Sequence, residues 1–355
     1  MQEVEQTTTL NPQIKDAAIK YVRNLFSQAD DSDFIRMLKK EAFKNVYKKM
    51  VVEPEEFMTK PRPADIEPWS GKKPEGPREF LKSKVVLPSL PQVLLEIQKV
   101  IKDPDSSADD LAEVINKDPK LVAAILRLAN SAMFSFRTEV DTTSRAVALL
   151  GFKQASSLAL GTVSLSLFKR SDGVQVLRVE KFWKHAIACG VVAQEIAKLA
   201  GIQDTERFFV AGMLHDIGLY VIFESDKSLG LELYDLARKN GNSLYDAEME
   251  LLGFDHATLG GVIIKDWNFP KSLVVAAAAH HNPEKAKKDP DAGIIHVADF
   301  ISRALGYHLG LSTVLGVLDQ EIYESFGLSG EMFVDMIPEV QKLIEEIFEI
   351  LNPAQ

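Results

Sequence analysis

Residues 208–220 read FFVAGMLHDIGLY, and this stretch decides how the chain folds. Its first seven residues are apolar or glycine on every side of a helix predicted at 204–223, which is typical of a helix buried in a core. His215 and Asp216 follow directly. A buried carboxylate without a partner costs on the order of several kcal/mol, so Asp216 requires a hydrogen-bond network, a cationic partner or a metal.

Helical periodicity extends in both directions from this stretch. Ser107 and Asp118 are typical helix caps, and Pro119 suits the first turn of a helix. We find no alternating strand pattern and no repeat of fixed period. The predicted fold class is therefore all-α, a multi-helical bundle. The other predicted helices are two within 11–52 and one each at 93–101, 107–115, 121–132, 143–150, 153–168, 179–200, 243–252, 255–267, 270–281, 291–305 and 338–351.

A proline-rich stretch divides the chain. Six prolines fall within 53–84, where each fixes φ and removes an amide donor, and no apolar period survives there. We therefore predict an N-terminal helical extension (1–52), a linker (53–84), a main helical domain (85–305) and a C-terminal helical segment (306–355). The extension either serves partner recognition or oligomerisation, or is a solvated addition packed on the main domain.

The composition limits the environment and the partners of the chain. A net charge of -10 over 355 residues argues against sequence-independent binding to nucleic acid. The single cysteine, Cys189, excludes an intramolecular disulfide, and residues 1–10 do not form an apolar leader. No apolar run approaches the length of a membrane span. We expect a cytoplasmic protein without membrane association, and a homo-oligomeric state stays open.

Histidines concentrate around the opening stretch. Six of the seven histidines lie between residues 185 and 296. Asp299 falls in an apolar helix and so is a second carboxylate that needs a partner. Neutral imidazole and carboxylate together form the ligand set for Zn, Mn, Fe and similar first-row ions. The candidate metal ligands within 180–305 are His185, His215, Asp216, His256, His280, His281 and Asp299.

Three nearby residues have simpler interpretations. His296 precedes Asp299 by three residues and can share its helix face. We therefore predict either that it contacts the metal ligands without binding the metal itself, or that its role is structural. His308 lies beyond the cluster and is interpreted as an ordinary core or surface histidine. Cys189 follows His185 by one helical turn and is interpreted as a small buried hydrophobe.

A series of short motifs follows the same order along 85–305. The motifs are Leu87-Pro88-Ser89-Leu90-Pro91, Asp118-Pro119-Lys120-Leu121, Leu126-Arg127-Leu128-Ala129-Asn130-Ser131, Arg145-Ala146-Val147-Ala148-Leu149-Leu150-Gly151-Phe152, His185, Met213-Leu214-His215-Asp216-Ile217-Gly218, Gly253-Phe254-Asp255-His256, Trp267-Asn268-Phe269-Pro270, His280-His281 and Ala298-Asp299. Together they resemble the HDOD domain, a helical relative of the HD phosphohydrolases. That resemblance implies a regulatory, signal-transducing module with a protein partner.

Many HDOD domains have lost the metal ligands of the HD superfamily, whereas this chain retains a full set. The order His, His-Asp, His, His-His, Asp is similar to the binuclear site of the HD-GYP phosphodiesterases. The similarity implies two divalent first-row ions, with iron or manganese favoured and zinc or nickel as alternatives. It would place His185, His215 and Asp299 on one ion, and His256, His280 and His281 on the other. Asp216 would bridge them, and a metal-bound water would be the reacting group of any catalysis.

The chain departs from the HD-GYP pattern at two places. Those enzymes carry a phosphate-contacting lysine in His-Asp-Ile-Gly-Lys, where this chain has Leu219. They also have a Gly-Tyr-Pro segment after His-His, whereas this chain continues with Asn282-Pro283. Without the lysine, the site lacks stabilisation for the negative charge that builds up in phosphoryl transfer.

Three functions follow from these observations, and the sequence leaves open whether the chain is an enzyme. The favoured hypothesis is a regulatory module that binds one or two metal ions. The alternative is a metal-dependent phosphohydrolase or phosphodiesterase that acts on nucleotides or cyclic dinucleotides. The third is a metal-free module in which the His/Asp cluster is a buried hydrogen-bond network.

Overall fold

All regular secondary structure among the described residues is helical, which confirms the all-α prediction. The computed structural model describes residues 11–57, 67–84, 90–134, 136–165, 167, 177–239, 243–312 and 314–351. Several predicted features lie outside these residues: the polar segment 1–10, the prolines at 61 and 63, the motif residues 87–89 and the helix end at 168.

The N-terminal extension forms the two predicted amphipathic helices. Asn11 caps the first and Ser32 the second, and both side chains accept backbone N–H groups of the first turn. Their apolar faces belong to the same hydrophobic cluster as the rest of the chain. The stretch 53–84 also contains helical turns that we did not predict, because each is too short to show a period. The elements are α1 (Pro12–Leu25), α2 (Asp33–Val52), a 3-10 helix (Pro54–Phe57) and α3 (Pro77–Lys84).

The helices between residues 92 and 165 begin at or close to the residues predicted from the sequence. The elements are α4 (Gln92–Lys102), α5 (Ala108–Asn116), α6 (Pro119–Ala129), α7 (Thr143–Leu150) and α8 (Phe152–Leu165). Ser107 and Asp110 form a capping box at α5, and Asp118 caps α6 with Pro119 in its first turn. Gly151 separates α7 from α8 with a φ of +83°, a left-handed conformation that favours glycine, and the chain bends there by 119°.

The third group carries the candidate site. The elements are α9 (Val179–Leu199), α10 (Glu206–Leu214), α11 (Ile217–Ser225), α12 (Lys227–Lys239), α13 (Leu244–Leu251), α14 (His256–Asp266), α15 (Lys271–Ala279), α16 (Pro283–Ala286) and α17 (Pro290–Ala304). The almost wholly buried α9 packs against α10 and α17, and α14 packs against both α11 and α15. This arrangement brings the ends of several helices to one place.

One predicted helix of this group is in fact two. The single helix expected at 204–223 ends at Leu214 and restarts at Ile217, so His215 and Asp216 form the break between α10 and α11. An all-round apolar pattern carries no cap that would reveal such an interruption. Gly212 packs on the backbone of Gly190 in α9, which explains why no side chain is present there.

The C-terminal segment contains α18 (Gln320–Ser325) and α19 (Gly330–Leu351). The predicted start of α19 at Pro338 was wrong, because proline lies inside the helix instead of in its first turn. Helix α19 packs against α9, α2 and α6, and the rings of Phe34 and Phe333 lie 5.4 Å apart. The two ends of the chain therefore share one core with the central helices, while the predicted domain boundaries stay predictions.

Among the described residues, one helical segment has the length and composition of a membrane span, and one bent pair of helices does so if it is counted as a single span. The segment Glu206–Ser225 has a mean hydropathy of 1.3, and 89% of it is buried inside the protein. Helices α7 and α8 pass the same test only if they are taken together across their 119° bend. Burial of this extent is typical of a core helix.

Candidate metal centre

Asp216 lies at the break between α10 and α11. It occupies the N-cap position of α11, but its side chain accepts no hydrogen bond from that helix. The carboxylate is buried and faces histidines instead. Gly218 in the first turn of α11 lies against the start of α14, where any Cβ would collide with the backbone of His256. The glycine therefore allows α14 to approach Asp216 closely.

Four imidazoles surround the Asp216 carboxylate. Its Oδ2 atom lies 3.3 Å from Nε2 of His185. The other oxygen, Oδ1, lies 3.3 Å from Nε2 of His215 and 3.2 Å from Nε2 of His256. Nε2 of His280 is 3.6 Å from the same Oδ1 atom. The two oxygens of one carboxylate thus face histidines from four different parts of the chain.

The two remaining candidate ligands complete the cluster. Asp299 in α17 places Oδ1 at 3.3 Å from Nε2 of His185 and 3.9 Å from Nε2 of His215. Nε2 of His281 lies 2.9 Å from Nε2 of His256. The structure therefore brings all seven predicted ligands together. Their ligand atoms form two groups, and within each group the atoms lie within 4.8 Å of one another. The first group is His185, His215 and Asp299, and the second is Asp216, His256, His280 and His281.

Hydrogen bonds at the outer side of the imidazoles set their orientation. Nδ1 of His185 donates to the carbonyl of Tyr307 at 2.7 Å. Nδ1 of His215 donates to the carbonyl of Gly212 at 2.6 Å, three residues earlier. His280 makes the same kind of bond to the carbonyl of Ala277. A proton held at Nδ1 leaves Nε2 as the atom that can bind a metal, which is the usual arrangement around bound metals.

Glu248 orients His256, and the sequence analysis missed it. The fully buried carboxylate accepts Nδ1–H of His256 at 2.7 Å and the backbone N–H of the same residue at 2.9 Å. Glu248 follows Leu244 and Ala247 on the inward face of α13. An acidic residue on an apolar helix stripe is the signal that could have revealed it.

Two further residues contact the cluster from outside. The predicted supporting residue His296 is buried, and its Nδ1–H donates to the backbone carbonyl of His280 at 2.7 Å. Arg303, which we did not predict, lies one turn after Asp299 with the two side chains 3.5 Å apart. Its guanidinium also donates to the carbonyl of Val314 at 2.9 Å. Arg303 thus links Asp299 to the segment that follows α17.

The charges in the cluster stabilise one another. Burial alone would raise the pKa of Asp216, but the neighbouring His215 and His185 lower this pKa well below its usual range. Burial likewise disfavours protonation of His185, but the nearby carboxylates of Asp216 and Asp299 outweigh it and raise the pKa of His185 to about 9. A metal that binds His185 must therefore displace a proton at neutral pH.

The cluster contains atoms that fit a bound metal. Nε2 of His215 and Nε2 of His280 face Oδ1 of Asp216 at 3.3 and 3.6 Å without hydrogen-bond geometry, and these three atoms have no hydrogen-bond partner among the described residues. Nε2 of His296 and Nδ1 of His308, outside the two ligand groups, are also unpaired there. A hydrogen-bond network would be expected to satisfy such atoms, since leaving each one unpaired costs about 1–3 kcal/mol. Imidazole nitrogen and carboxylate oxygen are also the right ligand types for a first-row ion. The residues present fit the metal that the family resemblance implies.

Comparison with known proteins identifies the family. The sequence model of the HDOD domain family matches residues 87–283 of this chain. The chain belongs to the HDOD family. The match includes six of the seven candidate ligands of this HDOD protein, and Asp299 lies beyond it.

Three known proteins are similar to this HDOD protein in sequence or in structure. An uncharacterised protein of Treponema pallidum (strain Nichols) is 26% identical over 204 residues, which are 57% of this chain but only 39% of that protein. A candidate phosphohydrolase from Shewanella amazonensis SB2B is similar in structure, with a TM-score of 0.61, 25% identity, and coverage of 75% of this chain and 95% of that one. An HDOD domain protein of unknown function from Geobacter sulfurreducens is also similar in structure, with a TM-score of 0.61 and 23% identity. The similarity covers 77% of this chain and 96% of that one.

The centre of this HDOD protein opens into a pocket of about 540 Å³. Asp216, His281 and Asp299 lie in its wall, and so does Leu219 at the position of the HD-GYP lysine. Leu25 from the N-terminal extension and residues 308–312 also line the pocket. The pocket is therefore completed by parts of the chain that the HDOD match does not include.

His308, which we interpreted as an ordinary histidine, lies in the wall of this pocket but is in neither group of possible ligands. Its Nε2 atom is 3.4 Å from the hydroxyl of Tyr21 in α1. Burial and the charges of Lys49 and Lys181 lower the pKa of His308 to about 3, so the ring is neutral at physiological pH. Cys189 is fully buried, as expected of a small hydrophobe.

Proposed function

We propose that this chain is a metal-binding regulatory protein of the HDOD family, with a binuclear His/Asp centre. The proposal rests on the convergence of all seven candidate ligands, Asp216 among them, in one buried cluster with ligand atoms left unpaired. A protein signalling partner, a possible homo-oligomeric state and a cytoplasmic location belong to the same proposal.

The grouping of the ligand atoms supports two ions. His185, His215 and Asp299 would hold the first, and His256, His280 and His281 would hold the second. Asp216 would contribute to both, since its carboxylate faces His185 and His215 of the first group as well as His256 and His280 of the second. Iron or manganese is the proposed metal, with zinc or nickel as alternatives, because the ligand types suit all four.

The pocket wall favours regulation over hydrolysis. When bound, a pair of such ions supplies Lewis acidity and lowers the pKa of a coordinated water. A phosphoryl substrate would additionally need a cation near its oxygens. Leu219 offers no charge where the HD-GYP enzymes have lysine, and Asn282-Pro283 replaces the Gly-Tyr-Pro segment. The ligands are complete, while the residues expected to handle phosphate are not.

Metal analysis of protein purified without an affinity tag tests this proposal. We expect two first-row ions per chain in wild-type protein and a clear loss in Asp216→Ala. A content below ~0.2 equivalents in wild-type protein, after incubation with Fe²⁺, Mn²⁺, Zn²⁺ or Ni²⁺, would overturn the proposal and favour the metal-free network.

A metal-dependent phosphohydrolase is the second candidate, and the size of the pocket supports it. An opening of about 540 Å³ beside the ligands is large enough for a small phosphoester. Arg303 also lines this pocket, with its guanidinium 3.5 Å from the carboxylate of Asp299. The Shewanella relative described as a candidate phosphohydrolase adds weight to this second candidate.

Phosphoesters distinguish the two candidates. The metal-loaded protein would be incubated with bis(p-nitrophenyl) phosphate, nucleoside monophosphates and cyclic dinucleotides, with Asp216→Ala as the control. A regulatory protein should release no product above the control. Turnover that depends on Asp216 would replace the regulatory proposal by the hydrolase.

A further inference from the structure

Three consecutive backbone carbonyls after α17 bind three side chains. The carbonyl of Leu305 accepts from Nδ2 of Asn45 at 3.1 Å. The carbonyl of Gly306 accepts from Nζ of Lys49 at 2.8 Å. The next carbonyl, that of Tyr307, accepts Nδ1–H of the candidate ligand His185 at 2.7 Å. Two residues of α2 therefore hold the peptide groups directly before the one that orients His185.

Asn45 and Lys49 are one helical turn apart, so they present neighbouring side chains on the same face of α2. The segment that they bind leaves α17 through Gly306, whose φ is +96°. Glycine adopts this left-handed conformation without the steric cost that another residue would have. The N–H groups of Gly306 and Tyr307 donate back to carbonyls of α17 at 3.1 and 3.0 Å, and the side chains of α2 add two further contacts that hold the peptide groups before the carbonyl of Tyr307.

Helix α1 binds the same part of the chain. The hydroxyl of Tyr21 lies 3.4 Å from Nε2 of His308. The backbone N–H of Leu315 donates to the carbonyl of Leu25 at 2.9 Å. Both helices of the N-terminal extension thus contact the segment that begins at residue 305, and none of these residues falls within the HDOD match.

The other imidazoles are oriented from within the central helices. His215 and His280 bind carbonyls three residues earlier in the chain, and His256 binds Glu248 of α13. Only His185, among these four, takes its partner from the segment after α17. A change in α2 can therefore act on one half of the metal centre and leave the other half unaffected.

We infer that Asn45 and Lys49 are positioning residues for His185, through which the N-terminal extension controls the ion held by His185, His215 and Asp299. The inference rests on the proposed binuclear centre. Loss of the two side-chain donors removes contacts that hold the peptide groups next to the carbonyl of Tyr307, so the His185 imidazole is held less firmly toward the metal. Hydrogen bonds of this outer kind affect metal affinity strongly.

The double variant Asn45→Ala/Lys49→Met tests the inference. Two dissociation constants for Mn²⁺ would be measured in the full chain by competition with a chelator. We expect one ion to bind ~10-fold or more weakly, and the other to change by less than ~2-fold. The unaffected ion shows that the variant is folded. Lys48→Met, an exposed change in the same helix, is the control. The conservative variant Lys49→Arg keeps a donor at residue 49, so it should retain most of the wild-type affinity for the metal.

Two results would overturn the inference. Unchanged affinity for both ions would leave the binuclear centre intact but show that α2 does not position His185. Equal weakening of both ions would show a general structural role instead.

A second measurement keeps the test independent of metal binding. In metal-free protein, exchange of the His185 Nδ1 proton with solvent would be followed by nuclear magnetic resonance. We expect it to be at least ~10-fold faster in the double variant than in wild type, because local opening exposes the hydrogen bond. Unchanged exchange would refute the positioning role whether or not wild-type protein binds two ions. A wild-type chain that binds no metal would instead refute the proposed function.

Discussion

The carboxylate of Glu248 lies 2.7 Å from Nδ1 of His256, and both side chains are buried. The same carboxylate accepts the backbone N–H of His256 at the start of α14. One side chain thus fixes the ring and the helix end that carries it. Burial raises the pKa of Glu248 and His256 lowers it, with a net rise. A position with these contacts should matter to metal binding as much as a ligand does.

Replacing Glu248 should weaken the ion bound through His256. Loss of a partner of this kind typically lowers metal affinity by ~10–100-fold. We expect Glu248→Ala to show this loss in chelator competition, and Glu248→Gln, which retains an acceptor, to lose less. Glu250→Ala changes an exposed carboxylate of the same helix and should leave the affinity unchanged. Equal affinities in Glu248→Ala and Glu250→Ala would contradict the orienting role.

His215 and His308 should differ in their effect on metal content. His215→Ala removes a ligand from the group with His185 and Asp299, so at least one ion should be lost. His308→Ala removes a ring of the pocket wall that is in neither group, so the metal content should equal that of wild type. Elemental analysis of the purified variants makes the comparison, and equal metal content in the two variants would show that the assignment is wrong.

Much of this site could be predicted from the sequence because its ligands are recognisable residue types in a fixed order. The seven side chains are histidines and aspartates in otherwise apolar segments, where a buried ionisable group is costly unless it has a partner. The contacts of Glu248, Arg303 and Tyr307 were missed. Each is a tertiary contact between elements that no local period reveals, and for Tyr307 the bonding atom is a backbone oxygen that any residue carries.

The helices were predicted where caps and amphipathic stripes coincide, as in α1, α5 and α6. The break at His215 and Asp216 was missed because the flanking residues are apolar on every side. A helix buried all round has no polar face from which its limits could be deduced. The functional pair therefore lies where local patterns carry the least information.

A methyl group at Gly218 should destabilise the protein. The added Cβ would collide with the backbone of His256 and Gly260, which cannot rotate away. We expect Gly218→Ala to lower the free energy of unfolding by about 1–3 kcal/mol. Denaturant unfolding measures the change. Gly76→Ala is the control, since nothing lies within 4 Å of a Cβ there. A variant as stable as this control would mean that α11 and α14 are not packed as described.

Metal binding should release protons. The pKa of His185 in the metal-free protein is raised to about 9, so this residue is protonated at pH 7 and must lose its proton to bind an ion. Protons therefore compete with the metal. We expect affinity to rise between about pH 6 and 8, by up to ~10-fold per unit for each proton released. Titration in weakly buffered solution with an indicator dye measures the release, and an affinity independent of pH would contradict the state assigned to His185.

We propose that Asp216 lies between two metal ions. Crystals of the full chain grown with Mn²⁺ or Fe²⁺ and measured at the absorption edge of that metal test it most directly. We predict two anomalous peaks, one beside His185, His215 and Asp299 and the other beside His256, His280 and His281, with Asp216 between them. Absence of any peak near Asp216 in metal-supplemented crystals would contradict it.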